Sequence, residues 1–453
     1  MKYAHLVLPV AIALCLTGSV GETLYAQQKL SLTIEQALSI GNENSKSLHM
    51  SSLKVQASDA RLREANTAAL PSVKVNGLYT RLSKVDPFDV GKSLNPLFVA
   101  IGVPNPSVPT DMIVDMYSAR ATVQQPLFTG YRISASKDIA EYSATAASQD
   151  YAKDKKELAY SIKSAYWSLY KAIEFKKVVD ENVEQMRAHT KDAENLMAQG
   201  LATTNDVLKV QVQLSDAQVR QIDAANGVLL ATIALNNTLG LPLSTEIALA
   251  SPIDPTPRTI NGDIDGLVKK AFAERPEIAA MNARLQAGEA GVTLARAGWY
   301  PQIALVGNYT YSNPNQRIFP QTKKFSDSWD VSLSVSFDVW NWGATAHQTD
   351  QAQSMLAQTY DAMGQLRDGI TLEVTQNYLN QKQSIERISV ARKGVQQAEE
   401  NYRITDEKFK KGLSLNSDLL DAEVALLQAR INYTQSLVDY ELAEARLEKA
   451  IGE

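Results

Sequence analysis

The chain is written twice, and that limits its fold more than any other feature. "LPSVKVNGLYT" at Leu70–Thr80 returns as "YPQIALVGNYT" at Tyr300–Thr310, with Pro71, Gly77 and Tyr79 falling on Pro301, Gly307 and Tyr309, each 230 residues later. Further along, "QGLATTNDVL" at Gln199–Leu208 returns as "KGLSLNSDLL" at Lys411–Leu420, now 212 residues later. "LNNTLG" at Leu235–Gly240 returns as "LEKAIG" at Leu447–Gly452, and Tyr166 falls on Tyr378. The spacing shortens because the first copy carries a longer insertion, Leu82–Tyr117. One structural unit is therefore used twice. The expected divisions are a signal peptide at 1–26, a first unit at 27–250, a Pro-rich linker at 251–263 and a second unit at 264–453.

Each unit has one order of elements. A helix (Thr33–Ala69, then Ile264–Gly298) leads to a strand that starts at a proline. Proline ends helices and is tolerated at the first position of a strand. After a loop comes a second strand (Ala119–Phe128, then Trp329–Val339) and a very long helix (Ile133–Gln199, then Ala344–Lys411). A Gly-Leu turn ends it, and a final helix runs back. A helix of this length spans roughly 100 Å and needs support along its side. The returning helix shows where support comes from. Leu419, Ala422, Leu426, Ala429, Tyr433, Ser436, Tyr440, Ala443 and Leu447 make one stripe, and Leu420, Val424, Leu427, Ile431, Val438, Leu442 and Ala445 make a second beside it. A two-stranded coiled coil needs one seam. Two seams mean neighbours on two sides, as in a bundle or a closed ring, and the helices alone favour a thick soluble bundle.

The N-terminus reads as an export signal. Lys2 and His5 precede an apolar stretch from Leu6 to Leu16, too short to span a bilayer. Cleavage after Ala26 or after Gly21 fits the small residues there. Cys15, the only cysteine, lies inside that stretch behind Leu14, whereas a lipoprotein signal takes a small residue before its cysteine. A mature chain without cysteine has no disulfide and no thiolate metal site. No later segment offers about twenty consecutive apolar residues. With 45 Lys+Arg against 50 Asp+Glu, the chain lacks the basic excess of a nucleic-acid binder.

The strands raise another possibility. In "SDSWDVSLSVSFDVWNWG", Trp329, Val331, Leu333, Val335, Phe337 and Val339 alternate with Asp330, Ser332, Ser334, Ser336 and Asp338. One face is wholly apolar and the other small and polar. The other three strands alternate likewise, with Lys74, Asn76, Arg120, Thr122, Gln124 and Asn308 on their polar faces. Strands of about ten residues, apolar outward and polar inward, match a water-filled membrane barrel. Trp299, Tyr300, Phe128, Tyr131, Trp340 and Trp342 sit at one end of the strands, and Tyr117, Tyr311 and Trp329 near the other, as aromatic girdles would. The competing reading is a soluble sheet whose polar face meets solvent. Four strands cannot close a barrel, and open edges are not tolerated in lipid, so a membrane form must be oligomeric. A dimer would give eight strands and a trimer twelve.

These features together resemble the TolC family of outer-membrane efflux proteins over the whole mature chain. The resemblance rests on the doubled strand starts, on the junctions "QPLFTGYR" (Gln125–Arg132) and "FDVWNWG" (Phe337–Gly343), and on the turns "QGLATTNDVL" and "KGLSLNSDLLDA", in that order and spacing. It implies a mainly α fold with a small transmembrane β part. A homotrimer would join a 12-stranded β-barrel in the outer membrane to a 12-helix periplasmic α-barrel. It implies a passive exit duct of a tripartite efflux or type I secretion system, without catalysis, cofactor or metal. A periplasmic adaptor and an inner-membrane pump of RND, ABC or MFS type would be its partners. By motif match, Gly200, Leu201, Gly412 and Leu413 become the tips that meet the adaptor. Asp418 and Asp421, with Asp206 as the first-copy equivalent of Asp418, become the periplasmic gate. Asp330, Ser332, Ser334, Ser336 and Asp338 become the pore-facing strand.

Simpler readings stand beside these assignments. The turns can be helix hairpins in which glycine supplies a positive φ and leucine covers the hydrophobic end. Asp206 and Asp418 can be ordinary acids of a helix first turn. One departure from the family's pattern is visible. Some members lock the entrance with a tyrosine and an arginine bonded to the equivalent of Asp206. Phe409 and Ser414 occupy those positions here. Neither can make those bonds. Two rival functions also remain at this point. One is a periplasmic coiled-coil scaffold without a pore. The other is an exported enzyme, opposed by only four histidines, His5, His49, His189 and His347, set far apart, and by the absence of a catalytic motif.

Overall fold

A computed structural model describes residues 30–85, 90–102, 113–254, 256, 262–319 and 321–453. The expected signal peptide at 1–26, with Cys15, lies outside the described residues, as does part of the linker at 251–263. In chain order the elements are β1 (Leu30–Leu32), α1 (Ile34–Asn44), α2 (Lys46–Thr67), β2 (Ser72–Arg81), α3 (Val90–Ala100), β3 (Asp115–Phe128), α4 (Arg132–Ala198) and α5 (Thr204–Leu239). The second half adds β4 (Ile247–Leu249), α6 (Ile264–Glu274), α7 (Pro276–Arg296), β5 (Gln302–Asn313), β6 (Ser326–Ser336), α8 (Ala344–Lys410) and α9 (Asn416–Ile451).

The long helices α4 and α8 have 67 residues each, as the repeat requires. Each is supported in two tiers. Helices α2 and α7 pack along the first half of α4, while α5 and α9 pack along its second half. Helix α8 is flanked in the same way by α7 and α9. The first tier ends in the sheet and the second in the hairpin tips. Between them lies an equatorial belt with the two large apolar clusters. One gathers Tyr166, Ile162, Leu169, Leu32, Leu235 and Leu239, and the other Ile370, Val374, Ala271, Leu447 and Ala450.

Several expectations need correction. The first helix of each unit is not continuous but breaks at Ser45 and at Arg275. Ser45 leaves the helical region, and its Oγ accepts a hydrogen bond from Leu48 N at 3.3 Å, capping α2. Arg275 precedes Pro276, whose ring disfavours helical backbone one residue earlier. The insertion at 82–117 is not all loop, since it contains α3 and the first residues of β3. Pro87, Pro104, Pro106 and Pro109 of that insertion lie outside the described residues. A short parallel pair, β1 with β4, also straps the equator.

The four remaining strands form one antiparallel sheet in the order β2-β3-β5-β6. Its register puts Lys74, Thr122, Asn308 and Asp330 in one row. The outer edges of β2 and β6 have no partner among the described residues. Strand β6 ends at Ser336, paired with Gln302, the first residue of β5. Asp338, expected on the pore-facing strand, therefore lies beyond it. With Pro301 next in line, β5 has no N–H left to continue the ladder. The chain turns from β3 into α4 and from β6 into α8 through left-handed residues, Gly130–Tyr131 and Trp342–Gly343. The strands thus lead straight into the long helices.

Candidate functional site

The two hairpin tips are built alike. Gly200 and Gly412 have φ of +72° and +70°. Leu201 N donates to Leu196 O at 2.9 Å, and Gly200 N to Met197 O at 2.9 Å. The second tip repeats the pattern, Leu413 N to Lys408 O at 2.8 Å and Gly412 N to Phe409 O at 2.9 Å. This is the Schellman way of ending a helix, and it demands a left-handed residue where each glycine stands. The leucines do not cover the hydrophobic end as the simple hairpin reading expects. Leu201 is 73% exposed and Leu413 74% exposed. Each tip therefore offers an apolar side chain to solvent.

The acidic residues behind the tips have unequal duties. Asp206 accepts from Thr203 N at 3.0 Å and from Thr203 Oγ1 at 2.7 Å, while Thr203 Oγ1 accepts from Asp206 N at 3.2 Å. This closes a capping box on α5. Hydrogen bonds from the Thr203 hydroxyl and backbone hold the Asp206 carboxyl below the usual range. Asp418 does half of this on α9, accepting from Leu415 N at 3.2 Å and from Ser414 Oγ at 3.1 Å. Ser414 thus has a local partner, in place of an ion pair to Asp206. Asp421, one turn on, is exposed and three residues from Asp418, so the two share a helix face.

At the opposite end, the polar face of the sheet carries a connected row. Thr122 Oγ1 donates to Asn308 Oδ1 at 2.8 Å, and Asn308 Nδ2 donates to Asp330 Oδ2 at 2.8 Å. Asp330 also pairs with Arg317 at 2.7 Å. Arg317 comes from the loop after β5, which folds over this face. Ser332, Ser334 and Ser336 continue the face toward the helices. On the other face Val73, Val75, Val331, Leu333 and Val335 are all exposed. Aromatic clusters bound that apolar face. Phe128, Tyr131 and Tyr300 meet edge-on at the helix-proximal end, while Tyr79, Tyr117, Phe325 and Tyr311 form a chain of contacts at the loop end.

Sequence reasoning missed a third group, buried between the hairpins: His189, Asn416 and Glu423. The signal was present as polar residues on apolar stripes. Glu423 follows Leu419 and precedes Leu426 and Leu427, and His189 stands between Met186 and Ala193. Phe409 is buried against the His189 ring at 5.2 Å, edge-on. Among the described residues no group of acidic, histidine or cysteine side chains could hold a metal ion, and no helix is long and apolar enough to cross a membrane.

Comparison with known proteins agrees with this geometry. The family model described as outer membrane efflux protein matches residues 33–241 and 267–453, one segment on each copy of the repeat. The alkaline protease secretion protein AprF of Pseudomonas aeruginosa is 25% identical over 350 residues, covering 74% of this chain and 70% of that protein. The outer membrane protein TolC of Vibrio cholerae is 25% identical over 345 residues, covering 75% of this chain and 77% of that protein. The solved structure of the outer-membrane channel OprN has the same fold, with a TM-score of 0.78 over 92% of this chain and 89% of that chain, at 18% identity. Family match and shared fold cover both copies of the repeat, the sheet and the long helices alike. The chain belongs to the outer membrane efflux protein family, a transport family rather than a family of enzymes, and its place is the outer membrane.

Proposed function

We propose that three copies of the chain form one passive duct, with a twelve-stranded barrel in the outer membrane and twelve helices enclosing its periplasmic extension. The observation that carries this reading is the sheet. It has four strands, two open edges, an apolar face bounded by aromatic rings and a polar face bearing Asp330, Ser332, Ser334 and Ser336. A sheet with open edges is not viable in lipid until copies close it. The helices have the same need. Val212, Val219, Ile222, Leu229 and Leu230 on α5 are exposed, as are Leu372 and Val390 on α8 and Val424 on α9. Neighbouring copies would cover these faces, whereas both stripes of the returning helix are met largely within the chain, by α8 and α4.

The duct has no catalytic role in this reading and no energy source of its own. A periplasmic adaptor docks on the exposed Leu201 and Leu413, held out by Gly200 and Gly412. An inner-membrane pump of RND, ABC or MFS type drives the cargo. The names of the relatives include both a protease secretion protein and solvent efflux proteins, so they favour neither class of cargo. At the periplasmic entrance, threefold symmetry would stack Asp418 and Asp421 into two carboxylate rings that attract cations. Asp421 is the freer of the two, since Asp418 also caps α9.

Single-channel recording in planar bilayers tests this. Wild-type protein should insert with discrete conductance steps that trivalent cations block from the periplasmic side. Asp418→Ala with Asp421→Ala should remove the block. Block unchanged in the double variant would overturn the gate assignment, and no conductance at all would overturn the duct.

A further inference from the structure

The two hairpins of one chain, α4–α5 and α8–α9, are fastened together unevenly. At the equator a large apolar cluster joins them, with Val438 of α9 packed among Ile162, Leu169, Leu235 and Leu239 of α4 and α5. Toward the tips the clusters are small: Leu420 of α9 packs against Val183, Met186 and Ala217 and against Ala193, Val207 and Val210 of the first hairpin. Beside Leu420 a buried polar chain crosses the same gap. Asn416 Nδ2 donates to the carbonyl oxygen of Asp206 at 3.2 Å. Asn416 Oδ1 lies 2.8 Å from His189 Nε2, and His189 Nδ1 lies 3.2 Å from Glu423 Oε2. The His189 and Glu423 side chains are each 2% exposed. With Phe409 against the ring, all four helices contribute.

The hydrogen bonds define a proton count. A backbone carbonyl only accepts, so the Asn416 nitrogen faces Asp206 and its oxygen faces the imidazole. His189 Nε2 must then carry a hydrogen. The line from Nδ1 to Oε2 must carry one more, whichever atom owns it. Either form, imidazolium with carboxylate or imidazole with carboxylic acid, is neutral overall. Removing that proton sets a nitrogen lone pair against a carboxylate. Adding another leaves a buried positive charge without a counter-ion, which is costly.

We propose that His189, Asn416 and Glu423 are positioning residues for the channel entrance: they latch the second hairpin to the first, and one proton on the His189–Glu423 line keeps the latch closed. The part of this that concerns the entrance rests on the duct reading above. The neighbouring groups leave the pair in charge. From α8, Asp406 is ion-paired with Lys410 at 2.8 Å. Burial, then the charges of Glu423 and Asp406, push the Tyr402 phenol up to about 12, so it stays neutral near physiological pH. From α4, Asp192 acts on Tyr402 and Lys410. From α9, Arg430 is held by Glu181 and Glu399. From α5, the Asp206 carboxylate is turned to Thr203. Burial raises the Glu423 carboxyl. A carboxyl raised in the folded state stabilises it below the unfolded value, and that stabilisation is lost as pH rises through the folded value. The latch therefore loses this support as pH rises.

Pulsed electron–electron resonance on the full detergent-extracted chain tests this. Cys15 is replaced by serine, spin labels are placed at Leu201→Cys and Leu413→Cys, and labelled chains are diluted with unlabelled ones. The distance between the tips should be shortest in a middle pH window. It should lengthen on alkalinisation by about 5 Å, roughly half an interhelical spacing. In Glu423→Gln the amide donates to neutral Nδ1 at every alkaline pH, so the distance should stay short there. In Glu423→Ala it should be long throughout. A wild-type distance that ignores pH, or an alkaline rise that survives in Glu423→Gln, would overturn the latch. Bilayer conductance of the same proteins should rise with the distance. Tips that separate without any change in conductance would contradict the duct-entrance reading and leave the latch itself supported.

Discussion

The two copies of the repeat solve one mechanical problem with different chemistry. In each, a short helix must stop at the equator so that the returning helix can end against it. Ser45 and Arg275, 230 residues apart, mark the two breaks. Ser45 caps α2 with its hydroxyl. Arg275 is a buried cation, 2.6 Å from Glu373, 3.0 Å from Glu277 and 3.3 Å from the carbonyl of Ala450. The returning helices end on left-handed glycines, Gly240 against Asn44 and Gly452 against Glu274. The first copy adds a strap, in which the Tyr166 hydroxyl donates to Leu32 O and accepts from Ser251 N, both at 3.0 Å. Tyr378 stands at the matching place in the second copy. The position of the break and the glycine cap recur, while the groups that hold them do not. Geometry is what the repeat demands, and each copy meets it with local means.

The glycine caps should show the largest difference between the copies. A Cβ on Gly240 would lie 2.7 Å from the Asn44 carbonyl oxygen, and the left-handed backbone adds its own cost. Gly240→Ala should lose about 3 kcal/mol, summing a left-handed penalty and overpacking. Gly452→Ala meets less crowding, its nearest backbone atom at 3.0 Å. It should lose only about 1 kcal/mol, the left-handed penalty alone. Thermal unfolding of the two variants in detergent measures the gap, and equal losses would break the comparison.

The breaks come next. Arg275→Ala leaves Glu277 and Glu373 without their cation and should cost about 2 kcal/mol, less than a fully buried pair because both carboxylates reach water. Ser45→Ala should cost about 1 kcal/mol, the usual value of an N-cap. The copies should also differ in pH response. Burial pushes the Glu277 carboxyl up, but hydrogen bonds from Arg275 and the backbone outweigh it and hold the group low. A lowered carboxyl stabilises the fold above its unfolded value of about 4.3, and that stabilisation is lost as pH falls through the folded value. Acid titration of wild type should show this loss, and Arg275→Ala should flatten it. The strap should matter slightly less than the Arg275 site. Tyr166→Phe leaves a buried carbonyl and N–H unpaired, for about 1.5 kcal/mol, while Tyr378→Phe should be close to neutral. The smallest effect belongs to the tips. Thr203→Ala should remove about 1 kcal/mol from α5. Leu415→Thr, which gives α9 the hydroxyl it lacks, should add a few tenths of that.

The same contrast explains what the sequence could show. The long helices are legible to within a residue at each end, because the strand-to-helix junctions mark their starts and Gly200 and Gly412 mark the turns that end them. The break at Arg275 is legible in Pro276. The break at Ser45 is not, since Asn44, Ser45 and Lys46 carry no glycine or proline. Asp338 was placed one step too far because alternation continues past Ser336, whereas strand pairing is limited by where β5 begins. The His189–Glu423 contact joins residues 234 apart, and no local pattern states that two helices will bring them together.

One measurement bears most directly on the central claim, that the open-edged sheet of one chain is completed by other copies. It is the molar mass of the detergent-extracted outer-membrane species, by light scattering with the detergent mass subtracted. The account expects a mass of three chains, which closes the strand count at twelve. A monomer, or protein released from membranes without detergent, would contradict it and leave the polar face of Asp330 to Ser336 as an ordinary solvent face.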